Sequence, residues 1–300
     1  MSFEVARGTT LGLVGESGCG KTTLGRSLLR LVPATGGRVS LDGVDVLSAP
    51  PSMLRRLRRD MQIVFQDVSG SLNPRLPIGR SVAEPLTIQG IGSARERRGR
   101  VAQLLERVGL RPDDADAYPH EFSGGQRQRI GIARAIAAEP KLIICDEPVS
   151  ALDVSIQAQI LGLLAGLQRD LGLTYLFIAH NLAVVRQISH RVAVMYLGKI
   201  VEIADAKELY ARPAHPYTIS LLSAHLEPEP VRDRRRGVPP GDPASPINPP
   251  AGCAYHPRCP SVSEKCREMT PTLGRAPGRN EGHLVSCHHV DATLKPETGH

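Results

Sequence analysis

The chain has 300 residues, enough for one large domain or two smaller ones, and 37 Lys+Arg against 30 Asp+Glu give a formal charge of +7. That balance favours an anionic partner without choosing among nucleotide, nucleic acid and membrane surface. A hydrophobic fraction of 41% with 22% charged residues excludes disorder through most of the chain, and aromatics at 3% with no Trp leave no stacking platform of the kind that single-strand binders use. No window approaches the ~18 consecutive apolar residues of a spanning helix. The opening MSFEVARGTTLGLVG lacks the charged and apolar regions of a signal peptide, so a cytoplasmic chain, at most peripheral to a membrane, is expected.

From residue 10 to about residue 226, the apolar runs LGLVG, MQIVF, KLIICD, TYLFIAH and RVAVMYLGKIVE alternate with longer helical patterns. Strands interleaved with helices predict an α/β fold with a mostly parallel sheet flanked by helices. Helices are predicted over residues 96–108 and 124–139, the second stopping before Pro140. From Glu227 the run EPEPVRDRRRGVPPGDPASPINPPAG denies the backbone its donors and reads as a linker. The division expected is therefore residues 1–226 and 227–300. Residues 251–300 hold four cysteines and few large apolar side chains, too little for a core of their own unless something cross-links them. Arginine runs at 55–59, 95–100 and 232–236 read as solvated faces, with contact to anionic lipid as the functional alternative.

Gly15-Glu16-Ser17-Gly18-Cys19-Gly20-Lys21-Thr22 matches G-x-x-x-x-G-K-[ST] directly after an apolar run and before a helical pattern beginning at Thr23. The glycines let successive N–H groups turn inward around a phosphate, and the helix N-terminus adds its positive end. Lys21 would reach the β- and γ-phosphates and the Thr22 hydroxyl would ligate Mg2+. The run Leu142-Ile143-Ile144-Cys145 ends in Asp146 and Glu147. This places two carboxylates at a strand end, Asp146 for the magnesium shell and Glu147 to orient or deprotonate an attacking water.

With Phe122-Ser123-Gly124-Gly125-Gln126 the set resembles the nucleotide-binding subunits of ABC transporters. The resemblance implies a P-loop NTPase of the ABC type, whose helical subdomain carries this signature and clamps ATP from the opposing subunit of a head-to-tail dimer. It also implies that residues Gly15 through Thr23, Gln66 and Asp146 bind ATP, with Mg2+ held through Thr22, Gln66 and Asp146. Glu147, His180 in FIAHN and Lys21 would be catalytic, and Ser150, Ala151, Leu152 and Asp153 would form the loop that crosses the dimer interface. SGSLNPRLPIG at 69–79, YPHEFSGGQRQRIGIARA at 118–135 and HPYT at 215–218 are most similar to the ATPase subunits of bacterial oligopeptide and dipeptide importers. Relatives in that subfamily carry nickel, glutathione or oligosaccharides.

What this implies is an ATPase at the cytoplasmic face of the plasma membrane that powers peptide import. Its partners would be two transmembrane permease subunits, a sister ATPase subunit or a second copy of itself and, indirectly, a solute-binding protein; no nucleic acid is expected. The segment from Gln66 to about Gly92 would form the groove for a permease coupling helix. The competing readings are a soluble ABC ATPase acting on DNA or ribosomes, and an inactive regulatory subunit. Family members carry an extra upstream strand and an adenine-stacking aromatic; here fourteen residues precede Gly15, with Phe3 the only aromatic among them and expected to start a strand. A truncated reading frame is the expectation drawn from that start.

Cys253, Cys259, Cys266 and Cys287 share the tail. In a reducing compartment a stable disulfide is disfavoured, and soft ligands in a coreless segment suggest a metal that supplies stability. The spacing lacks the C-x₂-C knuckles of structural zinc. Peptide-importer ATPases are similar in having a C-terminal 4Fe–4S cluster held by four cysteines. Zinc aided by His256, His283, His288 or His289, or free thiols, are the alternatives; Cys19 and Cys145 are given no metal role.

Overall fold

Five consecutive buried residues form β1 (Thr10–Val14), apolar toward both faces as a fully covered strand requires. After the glycine-rich loop, α1 (Lys21–Leu28) begins at the lysine. A short hairpin of β2 (Ser40–Leu41) and β3 (Val44–Asp45) follows. Next come α2 (Pro51–Asp60), with proline at its first helical position, and β4 (Met61–Val64). The Asp67 carboxylate caps α3 (Val68–Ser71) by accepting the Gly70 N–H. The helices α4 (Ile78–Gln89), α5 (Ala94–Arg107) and α6 (Gly124–Ile136) come next, the last two each started by a reciprocal capping box, Ser93 with Glu96 and Ser123 with Gln126. Then follow β5 (Leu142–Asp146), α7 (Val154–Leu171), β6 (Thr174–Ile178), α8 (Leu182–Ile188), β7 (Arg191–Tyr196), β8 (Lys199–Asp205), α9 (Ala206–Ala211) and α10 (Pro216–His225). The tail adds α11 (Glu264–Glu268), β9 (Gly274–Arg275) and β10 (Leu284–Val285).

These elements belong to a computed structural model that describes residues 1–225 and 248–290. They divide into two compact units: Met1–Glu4, Leu11–Lys21 and the described residues from Ala179 on, and Val5–Thr10 with Thr22–Ile178. In the second unit β4, β5 and β6 lie side by side and parallel, with Ile63 opposite Ile144 and Cys145 opposite Phe177. Its helices α4, α5 and α6 pack through Val82, Leu86, Leu105, Ile130 and Ile132, all buried. The helices predicted at 96–108 and 124–139 are these α5 and α6, displaced at their ends by up to three residues.

In the first unit β1 pairs parallel with β7, and β7 pairs antiparallel with β8. RVAVMYLGKIVE is thus two strands, because Leu197 (φ 42°) and Gly198 (φ 76°) reverse the chain in a two-residue turn. On the far side of β8, β10 pairs antiparallel through Leu284 opposite Ile203, and β9 pairs with β10. The tail's shortage of core is met there: Ala276, Val285 and Val290 bury themselves with Ala214. Phe3 lies in no strand, which is the strand expected at the start corrected by one that opens only at Thr10. The Pro-rich run before residue 248, with its arginines 232–236, lies outside the described residues.

Candidate active site

The phosphate loop is set by close backbone approach. Gly15 is buried, and a Cβ there would fall 2.2 Å from the Met195 carbonyl oxygen, so no side chain fits. The β7–β8 turn buttresses the loop, the Gly198 N–H donating to the Cys19 carbonyl at 2.9 Å. Lys21, buried, donates from Nζ to the carbonyls of Gly15 (2.8 Å) and Glu16 (2.9 Å). Ser17 and Gly18 are exposed at the crest. Burial pushes the Cys19 thiol up, against the pull of the Lys21 charge.

In the other unit Thr22 and Asp146 meet directly, Thr22 Oγ1 donating to Asp146 Oδ1 at 2.8 Å. Asp146 is buried, and Arg26 Nη2 stands 4.0 Å from its second oxygen. A hydroxyl beside an anionic carboxylate is a hard-oxygen donor set suited to Mg2+. The next residue, Glu147, is held at φ 48°, an outlier for a non-glycine residue, while its N–H continues the ladder to the Ile178 carbonyl at 2.9 Å. Gln66, exposed, donates from Nε2 to Glu147 Oε2 at 3.1 Å. Sequence reasoning named all four of these residues, and the structure pairs them as Thr22 with Asp146 and Gln66 with Glu147.

The signature sits at the start of α6. Ser123 Oγ accepts the Gln126 N–H (3.3 Å) and Gln126 Oε1 accepts the Ser123 N–H (2.9 Å), which holds the helix N-terminus rigid. A Cβ on Gly125 would fall 2.6 Å from Ile156 Cγ2, and one on Gly124 would touch Leu152 at 3.5 Å. The signature glycines thus allow close packing against the loop Ser150-Ala151-Leu152-Asp153 and the start of α7. Ser123, Gly124, Gln126, Ser150, Ala151 and Asp153 are all exposed, and beside them Val154 is 81% exposed. Thr23 is exposed on α1. His180 is exposed in the bend between β6 and α8, whose first N–H groups are capped by the Asn181 side chain.

A groove of about 580 Å³ opens between α2, β4 and α4, lined by Leu54, Ile63, Phe65, Pro85, Ile88 and Arg134 among others. It takes part of the expected 66–92 segment but draws its other wall from α2. The arginines of runs 55–59 and 95–100 are partly engaged: Arg58 donates to the Arg30 carbonyl, Arg97 to the Ile91 carbonyl, and Arg55 to the Ile88 carbonyl.

Of the four tail cysteines, Cys253 and Cys266 meet at the backbone, the Cys253 N–H donating to the Cys266 carbonyl at 2.8 Å. Burial, and then the like charge of the neighbouring thiolates, push Cys253, Cys259 and Cys287 up, Cys259 to about 11. Among the described residues, however, no three His, Cys, Asp or Glu side chains are placed to hold a metal ion, so neither zinc nor 4Fe–4S receives a ligand shell. The histidines expected as helpers are otherwise occupied. His283 pairs with Glu202 at 2.7 Å and Glu208 at 3.3 Å, His256 bonds the Cys253 carbonyl, His288 the Met269 carbonyl and His289 the Ser263 hydroxyl.

Sequence reasoning missed the residues that tie the tail to the rest of its unit. Glu202, an acid inside the apolar strand KIVEIAD, was the one visible signal, since a buried charge needs a partner. HPYT at 215–218 has a structural use: Glu202 accepts the His215 N–H, His215 Nδ1 accepts the Tyr217 N–H, and the Tyr217 hydroxyl accepts the Glu16 N–H at 2.8 Å.

Comparison with known proteins identifies the family. The family model described as ABC transporter matches residues 1–150, and the model described as oligopeptide/dipeptide transporter, C-terminal region, matches residues 201–266. A putative peptide import ATP-binding protein of Brucella ovis is 54% identical over 96% of this chain and 90% of its own length. The oligopeptide transport ATP-binding protein OppF of Salmonella typhimurium is 50% identical over 97% of this chain and 87% of its own. Among solved structures, the dimeric ATP-binding cassette MJ0796 bound to ADP and Pi superposes with a TM-score of 0.61 at 30% identity, over 68% of this chain and 88% of that one. Phosphate loop, paired carboxylates, signature and C-terminal region together leave one conclusion: the chain belongs to the ATP-binding subunits of ABC transporters, in the branch that carries the oligopeptide/dipeptide C-terminal region.

Proposed function

We propose that this ABC ATPase powers the import of oligopeptides or dipeptides through a membrane permease. The observation that supports its chemistry is the Thr22–Asp146 contact, which joins the residue after Lys21 to the strand-end carboxylate. The peptide class is supported by the match of the C-terminal region and by the names of the relatives, which read peptide import and oligopeptide transport.

Gly15 through Thr23 cradle the ATP phosphates and Lys21 neutralises them. Thr22, Asp146 and Gln66 would hold Mg2+, which would supply positive charge against the phosphates. Glu147 takes a proton from the attacking water as its oxygen bonds the γ-phosphorus; the bond from that phosphorus to the bridging oxygen breaks, giving ADP and phosphate. His180 orients the γ-phosphate. Ser123, Gly124, Gly125 and Gln126 complete the site of a facing subunit, and Ser150–Asp153 cross the interface, so the active form is a head-to-tail dimer with a sister ATPase or a second copy. The groove between α2 and α4 receives a coupling helix of the permease, which has two transmembrane subunits, and a solute-binding protein delivers the substrate.

Among the described residues no helix is long and apolar enough to cross a membrane; attachment at the cytoplasmic face is through the permease. Residues 1–226 form the nucleotide-binding domain and 227–300 the linker and extension. A 4Fe–4S cluster on Cys253, Cys259, Cys266 and Cys287 would require these thiols to come together, since as placed no three of them could share a metal ion. Stoichiometric iron with the broad visible absorbance of such a cluster, in anaerobically purified protein, is its test. The import reading is tested by purifying the chain from detergent-solubilised membranes of its host. Two permeases, a sister ATPase and a peptide-binding protein are expected; a chain that comes with ribosomes or DNA instead overturns it.

A further inference from the structure

The C-terminal region reaches the phosphate loop itself. Arg258, with a side chain 6% exposed, grips Glu16 with both arms of its guanidinium, Nη1 to Oε2 at 2.9 Å and Nη2 to Oε1 at 3.1 Å. The Glu16 N–H is meanwhile held by the Tyr217 hydroxyl at 2.8 Å. The second residue of the loop is thus fixed at its backbone and its side chain by groups more than 200 positions away in sequence. Arg258 is itself braced. Its N–H donates to the Tyr255 carbonyl at 3.0 Å, and the Tyr255 ring packs on Tyr196 and Tyr217 at 5.2 and 5.4 Å between centroids.

A carboxylate one residue into a phosphate loop is a like charge for a polyphosphate. A bidentate guanidinium both cancels that charge and fixes the direction of the side chain, and being buried it is little screened by salt. We propose that Arg258 is a positioning residue for nucleotide binding, acting through Glu16 on the charge and shape of the phosphate loop. The proposal rests on the reading of Gly15–Thr22 as the ATP site. It makes the C-terminal region a determinant of ATP affinity. Lysine is no equivalent, since a point charge restores neutrality without the fork.

The test is titration of the full-length chain with a fluorescent ATP analogue and with ADP, alongside ATPase kinetics, for Arg258→Met, Arg258→Lys, Glu16→Gln and the double variant Glu16→Gln/Arg258→Met. Arg258→Met is expected to weaken both nucleotides about tenfold, equivalent to ~1.4 kcal/mol, and to raise KM with kcat little changed. Arg258→Lys should fall between it and the wild type. The double variant should bind as Glu16→Gln alone does, because removing the carboxylate removes what Arg258 acts upon; a merely structural arginine would give additive losses. Additive losses, or unchanged affinity in Arg258→Met, overturn the proposal. If Arg258→Met does not fold, the Arg258→Lys and Glu16→Gln/Arg258→Lys pair decides by the same rule. A wild-type chain that binds no ATP overturns the ATP-site reading, and the proposal with it; a wild type that binds while Arg258→Met binds equally well overturns the proposal alone.

Discussion

His283→Leu probes the tie that holds the tail strand to its sheet. His283 and Glu202 side chains are both 0% exposed and meet at 2.7 Å, with Glu208 3.3 Å from the other ring nitrogen. Burial alone would lower the imidazole pKa, but the hydrogen bond and charge of Glu202, then those of Glu208, hold it above the ordinary value. Removing one partner of a buried ion pair typically costs ~3–5 kcal/mol. Glu202 would keep two backbone donors, the N–H groups of Ala214 (2.7 Å) and His215 (2.9 Å), which puts the expected loss at the low end, ~3 kcal/mol, a large share of the ~5–15 kcal/mol that holds a domain folded. Urea unfolding of the wild-type and variant chains measures it, and hydrogen exchange at Leu284 and Val285 shows whether β10 opens first. The sign with pH follows from the raised pKa: the pair's contribution is complete below the unfolded value of about 6.5 and is lost as pH rises through the folded value. The gap between wild type and variant should therefore be wider at pH 6 than at pH 8. A gap under ~1 kcal/mol, or one that widens toward alkaline pH, would refute the ion-pair reasoning.

Glu147→Gln should bind ATP as the wild type does and release phosphate ~10²–10⁴-fold more slowly, the usual range for a lost general base, measured in single-turnover assays; unchanged turnover would remove Glu147 from the chemistry. Gly15→Ala should abolish nucleotide binding, since its methyl would lie 2.2 Å from the Met195 carbonyl oxygen, whereas at Gly18 (φ 77°) nothing lies within 4 Å of a new Cβ. Gly18→Ala is left with the left-handed backbone cost, ~1–2 kcal/mol, and equal effects of the two variants on stability would count against the packing argument. Burial lowers His215 from 6.5 to about 4. Because the folded value is depressed, stability is intact above 6.5 and falls as pH drops from there to about 4, by up to ~3 kcal/mol relative to His215→Gln. Parallel pH-stability curves for the two proteins would show that His215 does not titrate in this window.

What could be read from the sequence was what is local. Gly15 to Thr22, the Asp146-Glu147 strand end and Ser123 to Gln126 each place their groups by a few dihedrals within one short segment, so spacing alone carries their geometry. The pairings between segments were less visible. RVAVMYLGKIVE reads as one apolar run until Leu197-Gly198 is recognised as a two-residue turn between β-branched stretches, which is the signal of a hairpin. The tail looked coreless because its apolar residues are few and small. It buries them against Ala214 and the edge of β8, and no property of residues 251–290 taken alone announces that partner. Composition alone offers His283 as a zinc ligand, whereas its position beside Glu202 depends on the register of β10, fixed only once the sheet exists.

A phosphate loop poses a particular packing problem. N–H groups kept for the ligand cannot pair within the loop, where the Cys19 N–H on the Glu16 carbonyl at 3.3 Å is a weak contact, and its glycines contribute neither side-chain packing nor low backbone entropy. Order has to come from outside. Here it comes from the Gly198 N–H on the Cys19 carbonyl, the Tyr217 hydroxyl on the Glu16 N–H and the Arg258 fork on the Glu16 carboxylate. Two of these three supports come from Tyr217 and Arg258, far along the chain from the loop they hold. A loop secured in that way binds nucleotide with less ordering still to be done on binding, so the C-terminal region contributes to ATP affinity without any of its atoms having to touch ATP.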